Sequence, residues 1–98
     1  MIYKPVPIDT SHVSLPPELD PLVERLAEHV HDLWAARRIA QGWTWGPTRD
    51  EVRKMHPNLR PYSQLADEEK ELDRGTAIGT IKAITLFGFQ VRHNKGHP

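Results

Sequence analysis

The chain has 98 residues, of which 38% are hydrophobic and 27% charged, with 13 basic and 13 acidic side chains and no cysteine. This balance is typical of one small globular domain, excludes disulfide and thiol chemistry, and lacks the basic excess of proteins that bind nucleic acid non-specifically. The first residues contain no apolar signal-peptide core, and no apolar run approaches the roughly 18 residues of a membrane span. We therefore expect a cytoplasmic protein with no membrane contact.

Two short strands are predicted at the ends of the chain. Residues 3–8 alternate as a strand does, but Pro5 and Pro7 remove backbone donors, which confines this segment to a sheet edge or to polyproline-like extension. Phe89 and Val91 predict a second strand, and we expect the two terminal strands to pair. The predicted domain therefore covers residues 3–92, with residues 93–98 as a flexible tail.

The first predicted helix runs from Pro21 to about Gln41, with Asp20 as its N-cap and Gly42 as its C-terminal stop. At about 100° per residue, one stripe of the helix is apolar and is expected to face the core. Its members are Leu22, Val23, Leu26, Val30, Leu33 and Ala40. On one flank lies a ridge that is expected to be half in the core, composed of Ala27, His31, Trp34 and Arg38.

Arg37 lies near the centre of the apolar stripe, so we expect a partly buried guanidinium paired with Asp50 or Asp73. Beyond the helix, Trp43 and Trp45 are two residues apart and would project to the same face of an extended backbone. Residues 37–60 hold six basic and two acidic side chains, whereas residues 66–74 hold five acidic and two basic ones. The neutral total thus combines a basic region with an acidic one.

A second helix is predicted from Leu65, with Ala66 or Asp67 as its cap, to about Phe87, with Gly88 as its stop. Its apolar residues are spread nearly all round the axis, so its second half is expected to be enclosed. Two glycines weaken its helix propensity, and a break near residues 74–76 is an open alternative.

The spacing of the histidines does not predict a metal site. His29 and His31 are about 200° apart on one helix, and His93 and His97 lie in the tail without a cysteine. A hydrolytic site is not predicted either. Asp32 is adjacent to His31 on the helix and points in a different direction, and no serine lies in a turn typical of a nucleophile. We therefore expect no metal, no cofactor and no enzymatic activity.

Several segments together resemble the ryanodine receptor repeat domain, or RyR domain, from about Tyr3 to Val91. They are YKPVPIDTS, LPPEL, LAEHVHDLWAARRIAQGWTWGPTRD, HPNLRPY, EEKELDR and IKAITLFGF. The resemblance implies a mainly α (α+β) fold of two antiparallel helices with short strands brought together at the chain ends. Such repeats occur as tandem pairs in a large calcium channel and singly in small bacterial and phage proteins, and this chain resembles the single type.

The resemblance also implies a non-enzymatic role in which an adenine nucleotide is held between two repeats. Carried over by motif, Trp34 of the HDLWA segment would stack on the base, and Arg38 and Arg49 would meet the phosphates, while His31 and Trp45 would shape the pocket. Trp45 stands where the family usually has tyrosine. Because the sequence has one repeat, this arrangement would require a homodimer.

Plainer interpretations remain open for the same residues. Trp34 and Trp45 could simply cover the core, as Trp43 is expected to do, and Arg38 and Arg49 could form surface ion pairs. The alternative function is a purely structural protein-interaction module without a small-molecule ligand. Nucleic-acid binding by residues 37–60 is a weaker third hypothesis, since the net charge is zero.

Overall fold

The computed structural model describes residues 1–94 and is mainly helical, as predicted. Two long helices, α1 (Asp20–Ala40) and α2 (Asp67–Leu86), are each preceded by a short 3-10 helix, at Pro17–Leu19 and Tyr62–Gln64. Two short strands, β1 (Thr44–Trp45) and β2 (Met55–His56), lie between the helices in the chain. Part of the predicted tail, residues 95–98, lies outside the described residues. No helix within residues 1–94 has both the length and the apolar character of a membrane span.

A glycine with a positive φ follows the end of each long helix. After α1, Gly42 adopts φ 91° and its N–H donates to Ile39 O at 3.0 Å, while the Trp43 N–H donates to Arg38 O at 2.9 Å. These two bonds make a Schellman motif, which satisfies carbonyls that the helix end leaves free. Gly88, at φ 95°, ends α2 in the same way. The predicted ends of both helices are confirmed.

The start of α1 differs from the prediction. The N-cap is Leu19, which makes no side-chain capping bond, and Asp20 is the first helical residue. The 3-10 turn at Pro17–Leu19 continues directly into α1. The backbone is therefore helical at the N-cap position, where a capping residue would have an extended conformation. Asp20 therefore contributes negative charge to the first turn of the helix rather than a cap.

The flanking ridge of α1 is buried more deeply than the predicted stripe, of which Leu22, Val23, Leu26 and Val30 are half-buried. Ala27 and His31 are 0% and 4% exposed, whereas Leu33, in the stripe, is 45% exposed. Tyr62 and Leu65 pack with Ala27 in the core and so turn the ridge inward. Arg37 is exposed and pairs with neither predicted partner among the described residues, so its predicted burial is wrong.

The two helices pack against each other in opposite directions. Glu24, near the start of α1, contacts Arg74, whereas Trp34, further along, borders the same cavity as Glu69, which lies earlier in α2. No break occurs at residues 74–76. The predicted enclosure of the second half of α2 is wrong, because one neighbouring helix covers one face only, and Phe87 is 61% exposed.

The predicted pairing of terminal strands is also wrong. Neither residues 3–8 nor residues 89–91 form a strand, and residues 1–9 are exposed. The observed strands lie in the middle of the chain and are parallel, with Thr44 beside Met55 and Trp45 beside His56. Gly46 permits this close approach, since a Cβ there would lie 2.7 Å from Met55 Cβ. The prolines in residues 3–8 lack the N–H groups that a ladder requires.

Candidate ligand-binding groove

A cavity of about 250 Å³ lies between α1, the segment after β2 and the first half of α2. We call it the α1–α2 groove. It is lined by His31, Trp34, His56, Asn58, Leu65, Glu69, Leu72 and Asp73. Two of the five predicted site residues, His31 and Trp34, therefore lie together in the groove, because they are one helical turn apart on the inward-facing ridge of α1.

Aromatic rings form one wall of the groove. The Trp34 ring centroid lies 5.7 Å from that of His31 and 5.0 Å from that of His56, which it meets nearly edge to face. Trp34 is half-buried. The two imidazoles hold the indole in place, and the uncovered part of its surface is available to a planar ligand.

The hydrogen bond of His31 places a hydrogen on Nε2 of its ring. Its Nε2 lies 2.7 Å from the backbone oxygen of Arg60, and a carbonyl can only accept, so Nε2 carries a hydrogen and donates. In the neutral ring the lone pair is then on Nδ1. This contact joins α1 to the segment before the second 3-10 helix, and His31 is 4% exposed.

His56 is hydrogen-bonded through its other ring nitrogen. Its Nδ1 lies 3.0 Å from the backbone nitrogen of Asn58 and accepts that N–H, so the neutral ring carries its hydrogen on Nε2. Burial lowers the pKa of His56 below its usual value, and the positive charges of Arg49 and Arg38 lower it further. His56 is therefore neutral at pH 7 and lies between the groove and these two arginines.

The wall formed by α2 is acidic. Glu69 and Asp73 are four residues apart and so share one face of the helix. Burial raises the pKa of Asp73, and the nearby His31 partly opposes this effect. Sequence reasoning assigned these carboxylates to an acidic helix start and missed their place in the groove. The i, i+4 spacing of the two carboxylates predicts that they share one face of α2. It does not predict which other element that face meets.

The two predicted arginines do not line the groove, but both lie near enough to His56 to lower its pKa. The Arg38 guanidinium carbon lies 5.1 Å from the centroid of the Trp43 ring, a cation–π arrangement. Arg49 donates from Nε to Glu51 Oε1 at 2.5 Å, and both side chains of this pair are more than 60% exposed. The groove thus has an acidic side on α2 and, beyond His56, a basic side.

The two tryptophans after α1 differ in environment. Trp43 is 6% exposed, which confirms its predicted place in the core. Trp45 is 54% exposed and donates from Nε1 to the backbone oxygen of Pro57 at 3.1 Å. Trp45 is therefore tied to the loop after β2, and it does not line the groove.

The comparison with known families agrees with the motifs and with the helical fold. The family model described as RyR domain matches residues 3–93, which is nearly the whole chain. The match includes both helices, the two parallel strands and every residue that lines the groove. The chain therefore belongs to the RyR domain family.

Proposed function

We propose that this chain is a non-enzymatic ligand-sensing or interaction module that binds an adenine-type nucleotide. Membership of the RyR domain family supports a ligand-binding or interaction role in general. The observation that carries the nucleotide proposal is the half-buried Trp34 ring in the wall of a groove, with two arginines beyond His56. An aromatic face beside guanidinium groups suits a ligand that is planar at one end and anionic at the other.

In this proposal the base stacks on Trp34, and the phosphates extend past His56 toward Arg38 and Arg49. Arginine favours phosphate because its planar fork can donate two parallel hydrogen bonds. The ion pair of Arg49 with Glu51 would have to open, which costs little because both side chains are exposed.

The size of the groove supports a shared site. Its volume of about 250 Å³ is below the roughly 300 to 1,000 Å³ that is usual for a pocket enclosing a small organic ligand. A second copy of the domain placed over the groove would complete the enclosure. We therefore propose a homodimer with the nucleotide between the two copies, in the cytoplasm.

A thermal-shift panel of ATP, ADP, cyclic nucleotides and ADP-ribose tests the proposal. At a free ligand concentration about ten times Kd, binding should stabilise the fold by roughly 1.4 kcal/mol and raise Tm by about 7 °C. Trp34→Ala should lose this shift, and Arg38→Ala should reduce it more for ATP than for a cyclic nucleotide, which carries less negative charge. Val52→Ala, at an exposed loop position, serves as the control and should keep the shift. No shift with any of these ligands at millimolar concentration, or a full shift in Trp34→Ala, would contradict the proposal.

A second candidate function, a purely structural interaction module, is favoured by the exposed apolar side chains of the helices and of the segment after α2. Leu72, Phe87 and Phe89 are each more than 60% exposed. A partner protein would cover such side chains without any nucleotide. Pull-down of a partner that is unaffected by nucleotide, with no thermal shift in the panel, would favour this function.

A further inference from the structure

A second cavity, of about 370 Å³, lies where residues 92–94 approach the start of α1. We call it the terminal cavity. It is lined by these residues together with residues of the first 3-10 helix and of the first two turns of α1. It shares no lining residue with the α1–α2 groove. Its volume, unlike that of the groove, lies within the roughly 300 to 1,000 Å³ that is usual for a pocket enclosing a small organic ligand.

Part of the lining of the terminal cavity is apolar. Leu19 belongs to the core and is 3% exposed, and Leu22 is half-buried. Pro21 lies between them in the chain and also lines the cavity. Because removing apolar surface from water is favourable, the hydrocarbon part of a ligand would bind against these side chains.

The charged side chains that line the terminal cavity are mainly basic. Arg25 lines it from α1 and Arg92 from the end of the described chain, with His93 beside Arg92. Among the described residues that line it, Glu18 alone is acidic. While His93 is neutral, two arginines and one glutamate leave this lining with a net positive charge of one, which a monovalent anion would balance.

The two arginines are not engaged elsewhere in the described chain. Neither Arg25 nor Arg92 forms an ion pair or a side-chain hydrogen bond within residues 1–94. Both residues are exposed, and their side chains are long and flexible. Each guanidinium can therefore turn toward an anion in the cavity without breaking a contact with another charged group.

We propose that the terminal cavity binds a small organic acid that has an apolar body and a single carboxylate, such as a medium-chain fatty acid. The hydrocarbon part lies against Leu19 and Leu22, and the carboxylate accepts hydrogen bonds from Arg25 and Arg92. Arginine suits this role because its planar fork matches the two oxygens of a carboxylate. Since the two arginines come from distant parts of the sequence, the ligand would join the segment after α2 to the start of α1.

The test is an NMR titration of the isotope-labelled full chain at pH 7 with octanoate, with octanol and octylamine as matched probes. At millimolar concentration octanoate should shift the amide signals of residues 18–25 and 92–94. Its Kd should be about tenfold lower than that of octanol, which has the same chain without the charge, because hydrogen bonds between charged groups are added. Octylamine should bind more weakly than octanoate, since its charge has the same sign as the arginines.

Two variants test the arginines directly. Arg25→Gln and Arg92→Gln should each reduce the preference for octanoate over octanol to about threefold or less. Arg37→Gln is the matched control, because it makes the same charge change at an exposed position of α1 that does not line the cavity, and it should keep the tenfold preference. The dispersion of the amide signals checks that each variant is folded.

Equal binding of octanoate and octanol by the unaltered protein would overturn the proposal, and so would the absence of any amide shift at millimolar octanoate. Shifts confined to the α1–α2 groove would overturn the location of the site. An equal loss of preference in Arg37→Gln would show a general effect of charge and would overturn the roles of Arg25 and Arg92. The nucleotide proposal would be unaffected in each case, because it concerns the other cavity.

Discussion

At the scale of single residues, Glu24 connects three elements of the fold. Its Oε1 accepts from the Tyr62 hydroxyl at 2.9 Å and from Arg74 Nη2 at 3.0 Å, and its Oε2 accepts from Arg74 Nε at 2.7 Å. Arg74 also donates from Nη1 to Glu71 at 2.6 Å. This forked contact joins α1, the second 3-10 helix and α2 at the end of the helix pair away from the strands.

The contacts of Glu24 predict a pH dependence of stability. The hydrogen bonds from Arg74, and then from Tyr62, lower the pKa of Glu24 below its usual 4.5. Because the folded pKa is below the unfolded one, the stabilisation is present above about pH 4.5 and is lost as pH falls through the folded pKa. Glu24→Gln should therefore lower Tm by a few degrees at pH 7, and its difference from the unaltered protein should shrink toward pH 3.

The measurement is thermal unfolding followed by circular dichroism between pH 3 and pH 7. Glu28→Gln, at an exposed position of the same helix, is the control and should change Tm little at any pH. An equal loss of Tm in Glu24→Gln at pH 3 and pH 7 would show that the carboxylate charge does not contribute.

At the scale of elements, α2 is helical throughout despite its weak intrinsic propensity. Gly75 and Gly79 lie inside it, and an added Cβ at either position would meet nothing within 4 Å. Ala77 and Ile81, both 2% exposed, hold the same helix against its neighbour. Tertiary packing therefore determines the conformation of this segment more strongly than its propensity does.

This geometry predicts that alanine at either interior glycine stabilises the protein. Gly75→Ala and Gly79→Ala should each raise the free energy of unfolding by about 0.5 to 1 kcal/mol, because glycine loses more backbone entropy in a helix. Urea denaturation measures the change. Gly88→Ala is the contrasting variant, since φ 95° strains any residue with a Cβ, and it should lower stability. A loss of stability in the first two variants would mean that another surface packs against α2 at these glycines.

At the scale of the whole molecule, the buried core is small for two helices of this length. The buried apolar residues of the described chain are Leu19, Ala27, Trp43, Tyr62, Leu65, Ala77 and Ile81. Domains of about 100 residues are marginal when they bury so little, and association with another copy is a common way to cover more surface. Leu72, 67% exposed at the border of the groove, is well placed for such an association.

The homodimer proposal predicts that ATP shifts the chain from monomer to dimer in sedimentation velocity. Leu72→Asp should prevent this shift, because it would place a charge in the covered interface and beside the acidic wall of the groove. Val52→Asp adds the same charge at a loop position that is 93% exposed and should dimerise normally. A chain that remains monomeric at saturating ATP would rule out the shared site. It would not rule out binding of ATP by a single copy.

The sequence by itself determined the features that depend on neighbouring residues. The apolar periodicity and the glycine stops at Gly42 and Gly88 specified where the two helices end, because these signals act within one or two turns. Trp43, beside a helix stop, was correctly assigned to the core. The ordered motifs identified the RyR domain family along nearly the whole chain.

The tertiary structure decided which surfaces meet. It buried the ridge of α1 more deeply than the more apolar stripe, and it paired strands in the middle of the chain instead of at the ends. It also placed His56 and Asp73 beside Trp34, although residues of the candidate site are up to 42 positions apart in the chain. Contacts over such separations depend on how the helices pack, and a periodic pattern within one helix does not specify the face that its neighbour will cover.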